Sequence, residues 1–211
     1  MSKPKAIICD LDGTLCDHRH RLHFVDASEY LYKETVERSK TANIFQVPPF
    51  KPDYESFYAA MDKDGVNEWC LSLLHAYIGE ENWTLHLLEK ESRRLEMNFI
   101  FITGRPERYR EKTEKWLQKL DFSPQDLGCI DCKLFMRPDF IELERWTNKA
   151  SNNVCMGKIK RPDNRPSAEV KREIYLKEIQ GKYDVIFVLE DSIECAEMYK
   201  SLGLTVLRVM G

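Results

Sequence analysis

The strongest constraint on the fold is a set of four short apolar runs: Ala6 to Cys9, Met97 to Thr103, Val185 to Leu189 and Thr205 to Val209. Each has the length of a strand, is rich in β-branched or aromatic residues, and lacks polar alternation. Runs of this kind form strands covered on both faces, as in parallel sheets. Between them lie segments of helical period, Glu107 to Leu120, Ala168 to Gln180 and Ser192 to Leu202, the last followed by Gly203 in a C-cap position. Strands alternating with helices predict an α/β fold built on a Rossmann-like parallel sheet. A fifth strand is expected over Cys132 to Met136.

Two stretches interrupt this rhythm. Helical pattern near Ala27 to Lys40 gives way to Val47-Pro48-Pro49-Phe50-Lys51-Pro52, where prolines forbid a continuing helix. The second stretch, Pro138 to Pro166, is polar, holds Asn148, Asn152, Asn153 and Asn164, and ends in proline-punctuated sequence. We expect residues 1–15 and 65–211 to form one catalytic core and residues 16–64 a small, mainly helical cap insertion. A loop or flap is expected near 139–166, with a short helix over Phe140 to Trp146 as the alternative. A chain of 211 residues is long enough to bury one sizeable core.

Composition narrows the class. Hydrophobic residues make up 43% and charged residues 32%, which excludes a disordered or fibrous chain. Lys and Arg total 32 against 35 Asp and Glu, so nothing in the global charge suits wrapping of duplex nucleic acid, although a local basic groove is compatible with it. The run Ala6 to Cys9 ends at Asp10, far short of a secretory or membrane segment. Seven cysteines without such a segment are expected to be reduced thiols in a cytoplasm. Cys129 and Cys132 form a lone CxxC that Cys155 could extend to three ligands, one fewer than structural zinc takes.

Ligands of open α/β sheets bind beyond the carboxyl ends of the strands. The first run leads into Asp10 and Asp12, the second into Thr103-Gly104-Arg105, and the third into Glu190-Asp191, so three reactive clusters converge. Phosphoryl transfer needs an in-line nucleophile, stabilised equatorial oxygens and a proton for the leaving group. Asp10 can be the nucleophile. An extended backbone would aim Asp12 to the same side, as general acid and base, and Gly13 permits a sharp exit. Crowded carboxylates call for a cation, and hard oxygen donors suit Mg²⁺; the candidate ligands are Asp10, Asp12, Asp191 and Glu190. Thr103, Gly104 and Lys171 are candidate phosphate binders, with Lys158, Lys160 and Lys177 as competitors for the lysine's role. His18, Arg21, His23 and Arg105 are candidate substrate contacts. Equally open for the histidines is a solvated helix start, and for Arg105 and Arg108 pairing with Glu107 and Glu111.

These residues resemble the haloacid dehalogenase (HAD)-type phosphatase superfamily, whose first motif DxDGT[LV] stands unbroken at Asp10 to Leu15. The second motif is matched by Phe99 to Arg105, the third by Lys171, and the fourth by Leu189-Glu190-Asp191. The resemblance implies Asp10 as nucleophile, Asp12 as acid/base, Thr103 and Lys171 on phosphate, and Asp191 on the metal. Glu190 stands where close relatives more often carry Asp. Met136-Arg137-Pro138, Glu169 to Ile174 and Glu190 to Val209 are similar to the phosphatase domain of polynucleotide kinase/3′-phosphatases and related phage-type nucleotide phosphatases. His18 to His23 and Lys51 to Tyr54 also suit that group. In it the link between Met-Arg-Pro and the lysine helix is usually short, whereas here Asp139 to Pro166 is inserted.

The expected activity is hydrolysis of a phosphomonoester through an aspartyl-phosphate, on a nucleotide or a nucleic-acid end. A phosphoamino acid in a protein, such as phosphotyrosine, is the alternative substrate, and a non-catalytic binding module on the same fold is the alternative class. A kinase is disfavoured. In the would-be P-loop around Gly157-Lys158, Asn152 replaces the first glycine and Ile159 the hydroxyl residue.

Overall fold

The computed structural model describes residues 3–40, 48–78, 97–120, 122, 132–148 and 154–210. Cys129 of the CxxC lies outside them. The core is a five-stranded sheet whose strands are β1 (Lys5–Cys9), β4 (Met97–Pro106), β5 (Cys132–Arg137), β8 (Asp184–Glu190) and β9 (Val206–Arg208). Their order is β5-β4-β1-β8-β9, and every pairing is parallel. The expected Rossmann-like sheet is therefore present, fifth strand included.

Alternate side chains of β1 serve two separate cores. Ile7 and Cys9 pack with Phe99, Phe101 and Leu189 on one face. Helices α3 (Glu68–Ile78) and α4 (Arg110–Gln118) cover that side through Cys70, Leu74, Trp116 and Leu117. Ala6 and Ile8 pack with Ile100, Ile102 and Val188 on the other face, under Tyr175, Ile179 and Tyr199. Those residues belong to α5 (Ser167–Ile174), which continues as a π-helical turn over Tyr175–Ile179, and to α6 (Ile193–Ser201). Strand β9 departs from the reading of strands buried on both faces: it is an edge strand, and Leu207 is exposed. Gly203 ends the segment after α6 with φ of 82°, a conformation that L side chains resist.

Residues 16–64 contain strand β2 (Cys16–Asp17), a 3₁₀ turn over Arg19–Phe24, and helices α1 (Ala27–Ser39) and α2 (Tyr54–Ala59). Asp26 and Asp53 cap the two helices by accepting backbone N–H groups of Ser28 and Glu29, and of Ser56. Strand β3 (Gly65–Val66) returns antiparallel to β2 and brings residue 64 back to the mouth of β1.

The stretch after β5 is an antiparallel ribbon, not a loop and not a helix. It comprises β6 (Phe140–Asn148) and β7 (Val154–Pro162), paired in continuous register from Phe140 with Pro162 to Asn148 with Val154. Polar composition concealed it, because a two-stranded ribbon outside the core needs no buried apolar face. Among the described residues, no helix is long and apolar enough to cross a membrane.

Ile100 sits fully buried in the central layer. Ile100→Ala is expected to lower the unfolding free energy by about 2–5 kcal/mol, through lost burial and the cavity left behind. Urea unfolding followed by circular dichroism measures it, and a loss below about 1 kcal/mol would contradict the packing described.

Candidate active site

The loop after β1 places the first group of residues. The backbone N–H of Asp10 donates to the Leu189 carbonyl at 3.0 Å, which locks the end of β1 to the end of β8. Leu11 and Leu15 are fully buried and anchor the loop between them. Gly13 turns it with φ of 87°, and a Cβ there would lie 2.3 Å from Asp191 Oδ2 and 3.0 Å from His18 Cε1. Glycine is thus required both by its dihedral and by the carboxylate packed on it.

Around Asp10 the charges do not balance. Lys171, only 3% exposed, directs Nζ to Asp10 Oδ1 and to Glu190 Oε2, each at 2.8 Å. Asp10, Glu190 and Asp191 bring carboxylate oxygens within 4.8 Å of one another. Burial, then the neighbouring Glu190 carboxylate, raises the proton affinity of Asp10 well above the usual carboxylate range, against the pull of Lys171. Glu190 is raised as well, first by burial. Burial alone would lower Lys171, but Asp10 and Glu190 hold it well above the ordinary lysine range. Three carboxylates facing one ammonium form a pocket deficient in positive charge. Its donors are hard oxygens, and this set fits a divalent cation such as Mg²⁺. Thr14 Oγ1 donates to Asp191 Oδ1 at 3.2 Å and steadies that carboxylate.

Asp12 belongs to a different cluster, with Cys16 and Asp64. Its side chain is not part of the Asp10 group: the chain turns at Leu11, and Asp12 is held by Arg21 and Arg105. Arg21 Nη2 donates to Asp12 Oδ1 at 2.5 Å, and Arg105 donates to both Asp12 oxygens through Nε at 3.0 and 3.1 Å. The same arginines grip Asp64: Arg21 through Nε and Nη2 at 2.7 Å each, and Arg105 through Nη2 at 2.9 Å. Two carboxylates and two guanidiniums thus make a closed, neutral square. Burial would raise Asp12, but Arg105 and then Arg21 overcome it and hold its carboxyl well below the usual range. Both arginines were candidate substrate contacts, yet both are fully buried, with Arg21 also stacked 4.0 Å from the Phe57 ring centre. They serve Asp12 rather than the solvent side of the site.

The remaining candidates divide. Thr103 is fully buried at the end of β4, and its hydroxyl accepts the Arg105 backbone N–H at 3.2 Å. Gly104 follows, and a Cβ on it would meet Ser167 Oγ at 3.0 Å. His18 lies edge-on to Phe57, with its Nδ1 buried and unpartnered among the described residues. His23 is turned away: its Nε2 lies 2.7 Å from Lys33 Nζ, and its ring packs on Phe24. Of the competing lysines, exposed Lys177 pairs with Glu173, while Lys158 and Lys160 lie on β7, so Lys171 alone among these four reaches Asp10. Arg108 pairs with Asp139 at 2.8 Å, not with Glu107 or Glu111.

Two residues escaped the sequence reading. Asp64 carries no motif, and only the pairing of β3 with β2 delivers it to Asp12. Arg137 fastens the rim: it donates to the Gly104 carbonyl at 3.1 Å, the Arg165 carbonyl at 2.6 Å and Ser167 Oγ at 3.0 Å. The run Met136-Arg137-Pro138 was visible as a likeness, but nothing in it announced that its arginine joins β4 to α5.

Comparison with known proteins bears on this geometry. Residues 136–211 match the family described as the polynucleotide kinase PNKP phosphatase domain, a span that includes Lys171, Glu190 and Asp191. No curated protein matches the chain. Two solved structures share its fold. One, described as "Structure of Pnkp1/Rnl/Hen1 complex", has a TM-score of 0.55 and 24% identity, over 99% of this chain and 47% of that one. The other, "Structure of the Pnkp1/Rnl/Hen1 RNA repair complex", has a TM-score of 0.53 and 24% identity, over 98% of this chain and 42% of that one. The chain therefore spans less than half the length of either. The carboxyl-terminal part of this protein resembles the HAD-type phosphatase domain of PNKP proteins, and the whole chain shares the fold of these structural neighbours.

Proposed function

We propose that this chain is a phosphomonoesterase in which Asp10 is the nucleophile, Asp12 the acid and base, and the substrate a phosphorylated nucleic-acid end or nucleotide. The observation that carries the reading is the Lys171–Asp10–Glu190 contact beside Asp191, a buried carboxylate positioned by a lysine in a pocket short of positive charge. A phosphoryl group with a divalent cation supplies what such a pocket needs. The match to a polynucleotide kinase phosphatase domain supports the nucleic-acid end.

Asp10, Glu190 and Asp191 would hold Mg²⁺, which when bound neutralises charge on the equatorial phosphoryl oxygens. Lys171 occupies Asp10 Oδ1, so we assign Oδ2 as the attacking atom. Its lone pair forms the bond to phosphorus while the ester oxygen leaves with a proton from Asp12, which gives an aspartyl-phosphate. Water then attacks phosphorus, Asp12 takes its proton, and Asp10 is released. In the resting square Asp12 is an ionised base. As the phosphoryl charge approaches, a nearby anion disfavours a second one, so Asp12 takes up a proton from solvent before the transfer and gives one back to solvent when phosphate leaves. Thr103 and Gly104 are proposed to donate to a phosphoryl oxygen through hydroxyl and backbone N–H. Residues 16–64 are proposed to act as a cap over this site, with Arg21 as their link to it.

Asp10→Asn is expected to reduce hydrolysis of an aryl phosphate in Mg²⁺ to background, and Asp12→Asn to lower kcat by roughly 10²- to 10⁴-fold. An inactive wild type, or an Asp10→Asn protein with full activity, would sink the mechanism. Turnover on 3′-phosphorylated oligonucleotides is expected to exceed that on phosphopeptides, and a wide preference for phosphopeptides would overturn the substrate class.

Asp64→Asn leaves two buried guanidiniums facing one carboxylate and is expected to cost about 3–5 kcal/mol of stability, read as a lower urea midpoint. The same square sets a pH dependence. The folded value of Asp12 is depressed, so its stabilisation is complete above the ordinary Asp value of about 4 and is lost as pH falls below it. Urea midpoints of the wild type should fall between pH 7 and pH 3 more steeply than those of Asp12→Asn. Parallel slopes would show that Asp12 is not held by the arginines.

A further inference from the structure

Helix α2 delivers to the site a side chain for which the proposed steps have no role, Tyr58. Arg21 Nη1 donates to the Phe57 carbonyl and Lys112 Nζ to the Ala59 carbonyl, each at 3.4 Å, so α2 is tied both to the square and to α4. Successive residues of a helix point about 100° apart. Phe57 accordingly lies under the Arg21 guanidinium, while Tyr58 reaches the end of β4. The Tyr58 ring is half-buried and packs on Tyr109, with centroids 5.3 Å apart. Its hydroxyl donates to the Gly104 carbonyl at only 3.5 Å, where a good O–H···O bond is roughly 2.7–2.8 Å long. That carbonyl already accepts Arg137 Nε at 3.1 Å. Among the described residues the hydroxyl has no other partner, so its donor is poorly met and would bond more strongly to an oxygen that gains negative charge.

The surroundings of Tyr58 say which oxygen that is. Of the charged groups around it, Asp12 acts on it most strongly, ahead of Arg137, Arg21 and Arg105. Burial and then Asp12 push its hydroxyl up to about 12, so at neutral pH it keeps its proton and donates. Asp12 Oδ1 takes Arg21 Nη2 and Arg105 Nη2 at 2.5 Å each, whereas Oδ2 has a single contact, Arg105 Nε at 3.1 Å. Oδ2 is therefore the oxygen left to exchange a proton with substrate. Gly104, the other neighbour of the Tyr58 hydroxyl, is assigned above to a phosphoryl oxygen. The ester oxygen is bonded to phosphorus and takes its proton from Asp12, so its place is between these two neighbours.

We propose that Tyr58 is a further catalytic residue, whose hydroxyl donates a hydrogen bond to the ester oxygen as its bond to phosphorus breaks. Asp12 delivers the proton; Tyr58 keeps its own and stabilises the negative charge that the oxygen carries until that proton arrives. The proposal rests on the phosphomonoesterase reading and adds to it a group supplied by residues 16–64. Tyr58→Phe tests it, because the ring that packs on Tyr109 is kept and the hydroxyl alone is lost. Wild type and variant are compared by kcat/KM in Mg²⁺ on a series of aryl phosphates. The series runs from 4-nitrophenyl phosphate, whose phenolate leaves readily, to phenyl phosphate, whose phenol has a tyrosine-like pKa of about 10. The loss is expected to be roughly 10- to 100-fold on phenyl phosphate and under about threefold on 4-nitrophenyl phosphate, with the urea midpoint unchanged. An equal loss on every ester, with or without a lower urea midpoint, is what mere packing or steadying of Gly104 would give. That result, or no loss on any ester, overturns the assignment and leaves the Asp10 mechanism in place. A wild type that hydrolyses none of the series removes the phosphomonoesterase reading and this role with it.

Discussion

The closed square of Asp12, Asp64, Arg21 and Arg105 is the interaction on which the geometry of the site depends. Each corner comes from a different part of the chain: the loop after β1, the segment before β3, the 3₁₀ turn, and the end of β4. Such charges of either sign would be costly alone, and each is tolerated because the two corners of opposite sign satisfy it. The square therefore joins residues 16–64 to the sheet by a set of contacts that fails as a unit. It also determines the state in which Asp12 waits, as an ionised carboxylate held still.

Beside this balanced group lies an unbalanced one. Lys171 answers Asp10 and Glu190 but, among the described residues, leaves Asp191 without an ammonium of its own, although Thr14 supports it. The contrast between the two clusters is chemically meaningful. A neutral square builds structure, whereas a pocket with excess negative charge has unmet affinity for cations, which is what the proposed metal-assisted reading requires. Glu190 reaches Lys171 directly, and through Oε1 it also accepts the Ser192 backbone N–H at 3.3 Å. Its length is thereby used to position the lysine.

How much of this was legible in sequence depended on the range of the interaction. Strands β1, β4 and β8 announced themselves by nearly uninterrupted apolar runs, whereas β5, at the sheet edge with Lys133 in its run, was expected from a short run alone. Strand β9 was found as a strand, yet its exposure was misjudged, since position at the sheet edge is not written in a local run. The ribbon of β6 and β7 was missed because its strands are stabilised by each other and not by a core, so the apolar signal is weak. Arg21 and Arg105 looked like arms toward a ligand; burial depends on what closes over them, and that is supplied by Asp64 and Phe57 from far along the chain.

By itself the sequence determined the alternation of core strands and helices, the Gly13 turn, and the acidic and hydroxyl residues at the strand ends, because each of these follows from local pattern and local sterics. Tertiary structure alone decided which carboxylate meets which cation. Lys171 was selected over Lys158, Lys160 and Lys177 by the helix that buries it beside Asp10, and Asp64 was recruited by a two-residue strand pairing. Those choices rest on through-space electrostatics between residues distant in sequence, a quantity that no local pattern encodes.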